Sequence, residues 1–136
     1  IQFDRIVNKV CKAVGKTLTG THIAVLGLTF KAHTNDLRDS PALRIVEYLK
    51  SQGATINAYD PTVKESLHGI NIYKTATEAC KSADAILIAT EWPEFALLNP
   101  TEIGNIVRSK HMIDARNILE ADLWRAAGFT YQGVGR

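Results

Sequence analysis

The residues of this sequence best suited to bind an anion lie between residues 27 and 41. Lys31 and Arg38 lead into Ser40-Pro41, and Ser as a cap followed by Pro predicts the start of a helix. The N–H groups and dipole of a helix N-terminus favour an anion, and Lys and Arg suit phosphate oxygens. From these residues alone an alternative stays open, because both cations could pair with the acidic side chains of the same loop in weak surface ion pairs.

The elements that must position this loop follow from the spacing of apolar residues. Strands are expected at His22–Leu28, Thr55–Tyr59, Ile70–Tyr73, Ala85–Ala89, His111–Asp114 and Phe129–Val134. Helices are expected at Ile1–Lys16, from Ser40-Pro41 to Gly53, at Thr75–Ser82, near Glu94–Leu98, at Thr101–Val107 and at Glu120–Ala127. The alternation predicts a doubly wound, mostly parallel, Rossmann-like α/β sheet with helices on both faces, preceded by the end of a helix.

In such a sheet, ligands bind beyond the carboxyl ends of the strands. Four of the expected strands run into unusual sequences at that end: G-L-T-F-K-A-H-T-N-D-L-R-D-S-P, Y-D-P, T-E-W-P and D-A-R-N. We therefore expect the functional site at this edge. The first connection has only Gly27 and lacks the G-x-G-x-x-G pattern of a dinucleotide fold.

Length and composition limit the possible classes. A chain of 136 residues fits one compact domain, and a net charge of +2 argues against a nucleic-acid partner. No apolar stretch is long enough for a membrane span, and the charged start argues against a signal peptide. Cys11 and Cys80 lack ligand spacing, which favours a reduced, cytoplasmic protein without a metal site. The first residue is Ile rather than Met, which favours a segment cut from a longer protein.

The motifs quoted above resemble those of the UDP-glucose/GDP-mannose dehydrogenase family. The usual form of the first is G-hydrophobic-x-F-K-x-x-T-x-D-hydrophobic-R-[ED]-S-P, and residues 27–41 are similar to it throughout. Y-D-P, T-E-W, D-x-R-N and the terminal G-V-G-R are similar to further blocks in the same order. Ala115 stands at the variable position of D-x-R-N, where some members have Gly. The resemblance covers residues 20–136 and implies the C-terminal, nucleotide-binding domain of such an enzyme.

The resemblance also implies roles for particular residues. Phe30, Lys31 and Arg116 would contact a UDP-sugar, and Arg38 would approach the phosphates of NAD across an interdomain cleft. NAD itself would be bound mainly by an N-terminal Rossmann domain of the same enzyme. The family oxidises the C6 hydroxymethyl group of its sugar twice and passes two hydrides to two NAD. The T-E-W block favours the UDP-glucose branch over the GDP-mannose and N-acetylmannosamine branches.

The same resemblance divides the chain. Residues 1–19 would be the tail of a central helix and a linker, and residues 20–136 the nucleotide-sugar-binding domain. Family members dimerise mainly through that helix, so a homodimer is possible. The catalytic cysteine of the family lies in a Gly-rich block that this sequence lacks, so we expect no catalytic residue here and no activity from the chain alone. Two rivals remain, a non-catalytic nucleotide-binding or assembly module and, less favoured, a receiver-type signalling domain.

Several conspicuous side chains receive structural interpretations instead. Cys11 and Cys80 are expected to be packed thiols, and His33 is given no chemistry. Asp60, with Pro61, is interpreted as a turn that stops a strand rather than as a ribose-binding carboxylate. Trp92 is expected to pack rather than to line a cleft. Asp36 either orients a cation or caps the loop.

Overall fold

The structure, a computed structural model, describes residues 3–15, 17–29, 40–65, 67 and 69–134. The helices are α1 (Phe3–Val14), α2 (Pro41–Ser51), α3 (Ala76–Cys80), α4 (Pro100–Ile106) and α5 (Ala121–Ala126). The strands are β1 (His22–Leu26), β2 (Thr55–Tyr59), β3 (Ile70–Ile72), β4 (Ala85–Ile88), β5 (His111–Asp114) and β6 (Thr130–Gly133). A 3₁₀ turn covers Pro93–Leu97.

The six strands form one parallel sheet in the order β3-β2-β1-β4-β5-β6. This order confirms the doubly wound, Rossmann-like fold expected from the alternation of strands and helices. Because β1 and β4 lie side by side and the chain winds away from them in opposite directions, the topological switch point falls between their carboxyl ends.

The two faces of the sheet are covered by different parts of the chain. One face packs against α1 and α2, with Ile23 and Val25 of β1 at its centre. The other packs against α3, α4, α5 and the 3₁₀ turn, and there Ala24 and Leu26 point inwards. The β2–β3 connection forms no helix in its described residues, so α2 is the one crossover helix that the described part of the chain places on its face. Helix α1 contacts β4 and β5 and covers the remainder of that face.

Local signals in the sequence set the helix ends as expected. The Ser40 hydroxyl accepts from the backbone N–H of Leu43, and Pro41 takes the first helical position of α2. Gly128 follows α5 at φ 97°, a left-handed conformation that suits Gly. Asn99 and Thr75 cap α4 and α3 in the same manner as Ser40.

The first strand is shorter than the expected His22–Leu28. It ends at Leu26 because Gly27, at φ 98°, turns the chain. The N–H groups of Leu28 and Thr29 then leave the sheet ladder and donate to a side chain of the neighbouring connection. The expected helix near residues 94–98 is a 3₁₀ turn, and α3 ends at Cys80, with Ser82 in a left-handed conformation at φ 61°.

Candidate functional site

At the switch point the turns that follow β1 and β4 touch each other. The Gly27 N–H donates to the Tyr59 carbonyl at 2.8 Å, which keeps the first turn close to β2. A side chain at Gly27 would meet Thr90 and would place its Cβ 2.8 Å from the Thr90 backbone nitrogen. The Thr90 hydroxyl in turn donates to the Thr29 carbonyl at 3.1 Å. Only Gly fits at residue 27, and the two turns are fixed relative to each other.

Asp60, directly after β2, holds these turns from the other side. Its Oδ2 accepts the backbone N–H groups of Leu28 at 2.7 Å and Thr29 at 3.2 Å. The same oxygen accepts the Thr29 hydroxyl and the Trp92 indole N–H, each at 3.3 Å. Its Oδ1 accepts both the N–H and the hydroxyl of Thr62, at 2.8 and 2.7 Å. One carboxylate thus joins the connections that follow β1, β2 and β4.

The charge of Asp60 is sustained by these donors. The side chain is 1% exposed, and burial by itself would raise the pKa of the carboxyl group. The hydrogen bonds from Leu28, Thr62 and Thr29 together outweigh burial and lower the pKa below its ordinary value. No cation pairs with Asp60 among the described residues. Backbone and indole N–H groups therefore take the place of a counter-ion.

The two ends of residues 30–39 are held together. At one end, Leu28 and Thr29 are bound to Asp60. At the other, the Ser40 hydroxyl donates to the Leu28 carbonyl at 2.6 Å while it caps α2. Three of the predicted site residues, Phe30, Lys31 and Arg38, lie in this segment and outside the described residues, as do His33 and Asp36. The structure describes both of their attachment points.

Arg116, the fourth predicted site residue, lies on the same edge, just after β5. Its Nη2 is 3.0 Å from Oε1 of Glu91, which follows Thr90 on the β4 connection. The two side chains are 43% and 35% exposed, so the pair can be reached by a solute. Glu91 Oε1 is itself buried, and among the described residues no hydrogen bond of good geometry reaches it, although Arg116 Nη2 lies within ion-pair distance. Arg116 and Glu91 therefore form a partly exposed ion pair.

The backbone beside Arg116 is held by a second buried carboxylate, Asp114, which is fully buried. Its Oδ1 accepts the Arg116 N–H at 3.2 Å, and its Oδ2 accepts the Leu119 N–H at 2.8 Å and the Tyr131 hydroxyl at 2.7 Å. Asn117, at φ 56°, exchanges two side-chain hydrogen bonds with the backbone of Val134. The D-A-R-N block is therefore a turn that presents Arg116 and is fastened to the end of β6.

The two cysteines, Trp92 and Asp60 have the packed or turn-forming roles expected from the sequence, and two of them have further contacts. Cys80 is fully buried, and burial raises the pKa of its thiol to about 12, so it is protonated at neutral pH. Cys11 packs partly buried against the core, as expected. Trp92 is buried, as expected, and its indole also donates to Asp60. Asp60 does form the expected turn, through Thr62, but the sequence reasoning missed its contacts with the other two connections.

No group of three His, Cys, Asp or Glu side chains that could hold a metal ion occurs within the described ranges. In that part of the chain, too, every helix is too short or too polar to cross a lipid bilayer. Gly27 is closed off by Thr90, and α2 begins at Pro41 rather than directly after the turn.

Comparison with known proteins identifies relatives of this arrangement. The sequence model of the UDP-glucose/GDP-mannose dehydrogenase family, UDP binding domain, matches residues 24–121. The chain is 43% identical over 138 residues to a UDP-glucose 6-dehydrogenase of Rickettsia prowazekii (strain Madrid E), an alignment that covers 97% of the chain and 32% of the relative. The chain thus spans about a third of the length of the curated relatives it matches.

Solved structures show the same architecture. The structure of a UDP-D-ManNAc dehydrogenase from Pyrococcus horikoshii superposes with a TM-score of 0.84 at 34% identity, over 98% of the chain and 30% of that protein. An NDP-N-acetyl-D-galactosaminuronic acid dehydrogenase from Methanosarcina mazei Go1 gives a TM-score of 0.88 at 27% identity, over 98% of the chain and 29% of that protein. Both likenesses extend over nearly the whole sheet and its helices.

Proposed function

Because this chain belongs to the UDP-glucose/GDP-mannose dehydrogenase family, we propose that it binds the nucleotide part of a UDP-sugar for an NAD-dependent UDP-glucose 6-dehydrogenase. The main support for the proposal is a continuous series of side-chain contacts along the carboxyl edge of the sheet. Thr29, the last described residue before Phe30 and Lys31, is bonded to Thr90, and the next residue, Glu91, pairs with Arg116.

This connection supports a common pocket for the predicted site residues. Thr29, which directly precedes Phe30 and Lys31 in the sequence, lies at the switch point, and Arg116 follows β5 on the same edge of the sheet. Lys31 supplies a compact positive charge, whereas Arg116 offers a planar pair of donors, so together they suit the two phosphates of UDP. Because the Arg116–Glu91 pair is partly exposed, we expect a phosphate to compete with the Glu91 carboxylate for this guanidinium.

In this proposal the chain binds and orients, and the reacting groups lie elsewhere in the enzyme. The relatives named as UDP-glucose 6-dehydrogenases support UDP-glucose as the substrate, oxidised twice at C6 to UDP-glucuronate. NAD would be bound mainly by an N-terminal domain and would accept the hydrides, and Arg38 is proposed to contact its phosphates. Solved structures named as UDP-N-acetylmannosamine dehydrogenases are also similar, so an enzyme for that sugar, or a GDP-mannose dehydrogenase of the same family, is the second candidate.

Helix α1 has a defined place in the proposal. It is the end of the central helix that would join the two domains and support a homodimer. Ile6, Val7 and Val10 are buried against the sheet, and α1 covers the part of that face that α2 leaves open. The nucleotide-binding unit therefore needs this helix for a complete core, although residues 1–19 would belong to the connection between domains.

The test is calorimetry of the chain with UDP, comparing two arginine variants. Arg116→Gln removes the proposed phosphate contact, and we expect UDP affinity to fall about tenfold or more, because charge-assisted hydrogen bonds contribute roughly 1.5–3 kcal/mol. Arg108→Gln is the matched control. Arg108 is 58% exposed and lies 3.6 Å from Asp84 at the opposite edge of the sheet, so its removal should leave UDP affinity unchanged.

Equal losses in the two variants, or no UDP binding by the unaltered chain, would contradict the proposal. The same preparation, incubated with UDP-glucose and NAD, should form no NADH, because the first turn lacks the dinucleotide glycine pattern and both cysteines pack against the core. Turnover by the chain alone would show that catalytic groups had been overlooked.

A further inference from the structure

The connection after β2 contains a group that the proposed function does not use. Asp60 is buried, charged and bonded to three connections at the switch point. It does not face the proposed ligand, because both of its oxygens are occupied by protein donors. Its hydrogen bonds to Leu28 and Thr29, which directly precede Phe30 and Lys31 in the sequence, suggest a role through that segment.

We propose that Asp60 is a positioning residue for nucleotide-sugar binding, whose carboxylate fixes the direction in which the chain enters residues 30–39. The inference rests on the proposed function, and it assigns to Asp60 a task beyond stopping a strand. Leu28 and Thr29 are the last described residues before that segment, and the backbone N–H and C=O of each residue are hydrogen-bonded.

The hydrogen bonds around these two residues account for the fixed direction. Both N–H groups donate to Asp60 Oδ2. The Leu28 carbonyl accepts from the Ser40 hydroxyl, and the Thr29 carbonyl accepts from the Thr90 hydroxyl. With all four backbone groups bonded, the entry to the segment cannot rotate without breaking buried hydrogen bonds. Loss of the two bonds to Asp60 would free the N–H side of both peptides.

An amide cannot replace this carboxylate, although it has the same shape. Oδ2 receives backbone N–H groups from Leu28 and Thr29, and Oδ1 receives the Thr62 N–H. Asn would have to direct its NH₂ group at one of these sets, where donor would face donor. The chain needs two acceptor oxygens at this point, which only a carboxylate supplies.

Trp92 extends the same arrangement to the β4 connection. Its indole N–H reaches Asp60 Oδ2 at 3.3 Å, and it directly follows Glu91, the partner of Arg116. Asp60 is thereby linked to both halves of the proposed pocket, the loop with Lys31 and the turn with Arg116. A carboxylate in this position holds the described parts of the β1 and β4 connections together.

The experiment measures UDP affinity of the chain by calorimetry for Asp60→Asn and for Asp122→Asn, an exposed residue of α5 that serves as the control for the change of charge. We expect Asp60→Asn to bind UDP about tenfold more weakly at a temperature where its near-ultraviolet circular dichroism is native, because entry to the loop is no longer fixed. Asp122→Asn should bind like the unaltered chain.

Spectra show whether the hydrogen bonds to Asp60 are lost, and UDP affinity in the folded variant then separates a positioning role from a purely structural one. In ¹H–¹⁵N spectra of Asp60→Asn, the amide signals of Leu28 and Thr29 and the Trp92 indole signal should move upfield as charge-assisted bonds are lost. The indole signal of Trp124 on α5, whose ring packs against Phe129, should stay in place. A structural role alone would lower the unfolding temperature and leave UDP affinity unchanged in the folded variant.

If Asp60→Asn fails to fold, two milder variants test whether Asp60 is a positioning residue. Trp92→Phe removes a donor from Oδ2, on the loop side, and Thr62→Val removes one from Oδ1, on the side of the turn. We expect only Trp92→Phe to weaken UDP binding, by about threefold. Equal affinities in these two, or native affinity in a folded Asp60→Asn, would overturn the inference. An unaltered chain that binds no UDP would overturn the proposed function instead.

Discussion

Two buried aspartates follow strands at the functional edge, and they differ in what they hold. Asp60, after β2, accepts from residues about 30 positions away in sequence, in the connections that follow β1 and β4. Asp114, after β5, accepts from Arg116 and Leu119 in its own turn and from Tyr131 on the adjacent strand. Asp60 therefore assembles three separate connections, whereas Asp114 shapes one.

The difference shows how one edge of a parallel sheet divides its tasks. At the switch point the connections lead away in opposite directions. A crevice there keeps its shape only if hydrogen bonds between residues far apart in sequence hold its walls together, as those of Asp60 do. Away from the switch point, a turn needs only to be rigid, and local hydrogen bonds suffice. In our account the first region determines how the ligand loop is entered, and the second presents a single arginine.

The largest loss of stability is expected at Gly27, where the turns that follow β1 and β4 approach each other closely. Gly27→Ala would place a Cβ 2.8 Å from the Thr90 nitrogen and would impose φ 98° on a residue with a side chain. We expect the free energy of unfolding to fall by roughly 3–5 kcal/mol, from overpacking together with backbone strain. Urea denaturation followed by circular dichroism measures the change.

Gly20→Ala is the control for this substitution. Gly20 also has a positive φ, 79°, but nothing lies within 4 Å of its added Cβ. The expected loss is about 1 kcal/mol, from backbone conformation alone. Similar losses at the two glycines would mean that the contact between the β1 and β4 turns is not needed.

A smaller loss of stability is expected when a hydrogen bond to Asp114, in the D-A-R-N turn, is removed. Tyr131→Phe removes the hydroxyl that donates to Asp114 and leaves the two backbone donors of the D-A-R-N turn in place. The free energy of unfolding should fall by about 1–2 kcal/mol, and UDP affinity should change by less than about twofold, since Arg116 keeps its backbone hydrogen bond.

Tyr73→Phe, at an exposed tyrosine just after β3, provides the comparison and should leave both quantities unchanged. Thermal unfolding and calorimetry measure the two properties on the same samples. A loss of UDP affinity in Tyr131→Phe as large as that expected for Asp60→Asn would erase the distinction between the two aspartates.

The parts of this structure that the sequence predicted are those with local or periodic causes. Apolar runs of five or so residues indicated all six strands, and Ser40-Pro41 marked the start of α2 to the residue. The D-A-R-N block is a turn held by its own side chains, so a short motif was enough to point to Arg116.

Non-local contacts were not predictable in this way. Y-D-P suggested only a turn, because nothing adjacent to Asp60 in sequence reveals that Leu28 and Trp92 donate to it. The end of β1 at Leu26 rather than Leu28 is partly non-local as well, since the chain turns at Gly27 and the Leu28 N–H then donates to Asp60. The exclusion of any side chain at Gly27 likewise comes from Thr90, which is 63 residues away in sequence.

The most direct measurement of the central claim is a ¹H–¹⁵N titration of the chain with UDP. We predict that the largest shifts fall on the carboxyl edge of the sheet, at Thr29, Thr90, Glu91 and Arg116, and that the opposite edge, with His22 and Asp84, stays unchanged. Shifts concentrated at that opposite edge, or a spectrum unaltered at saturating UDP, would contradict the account.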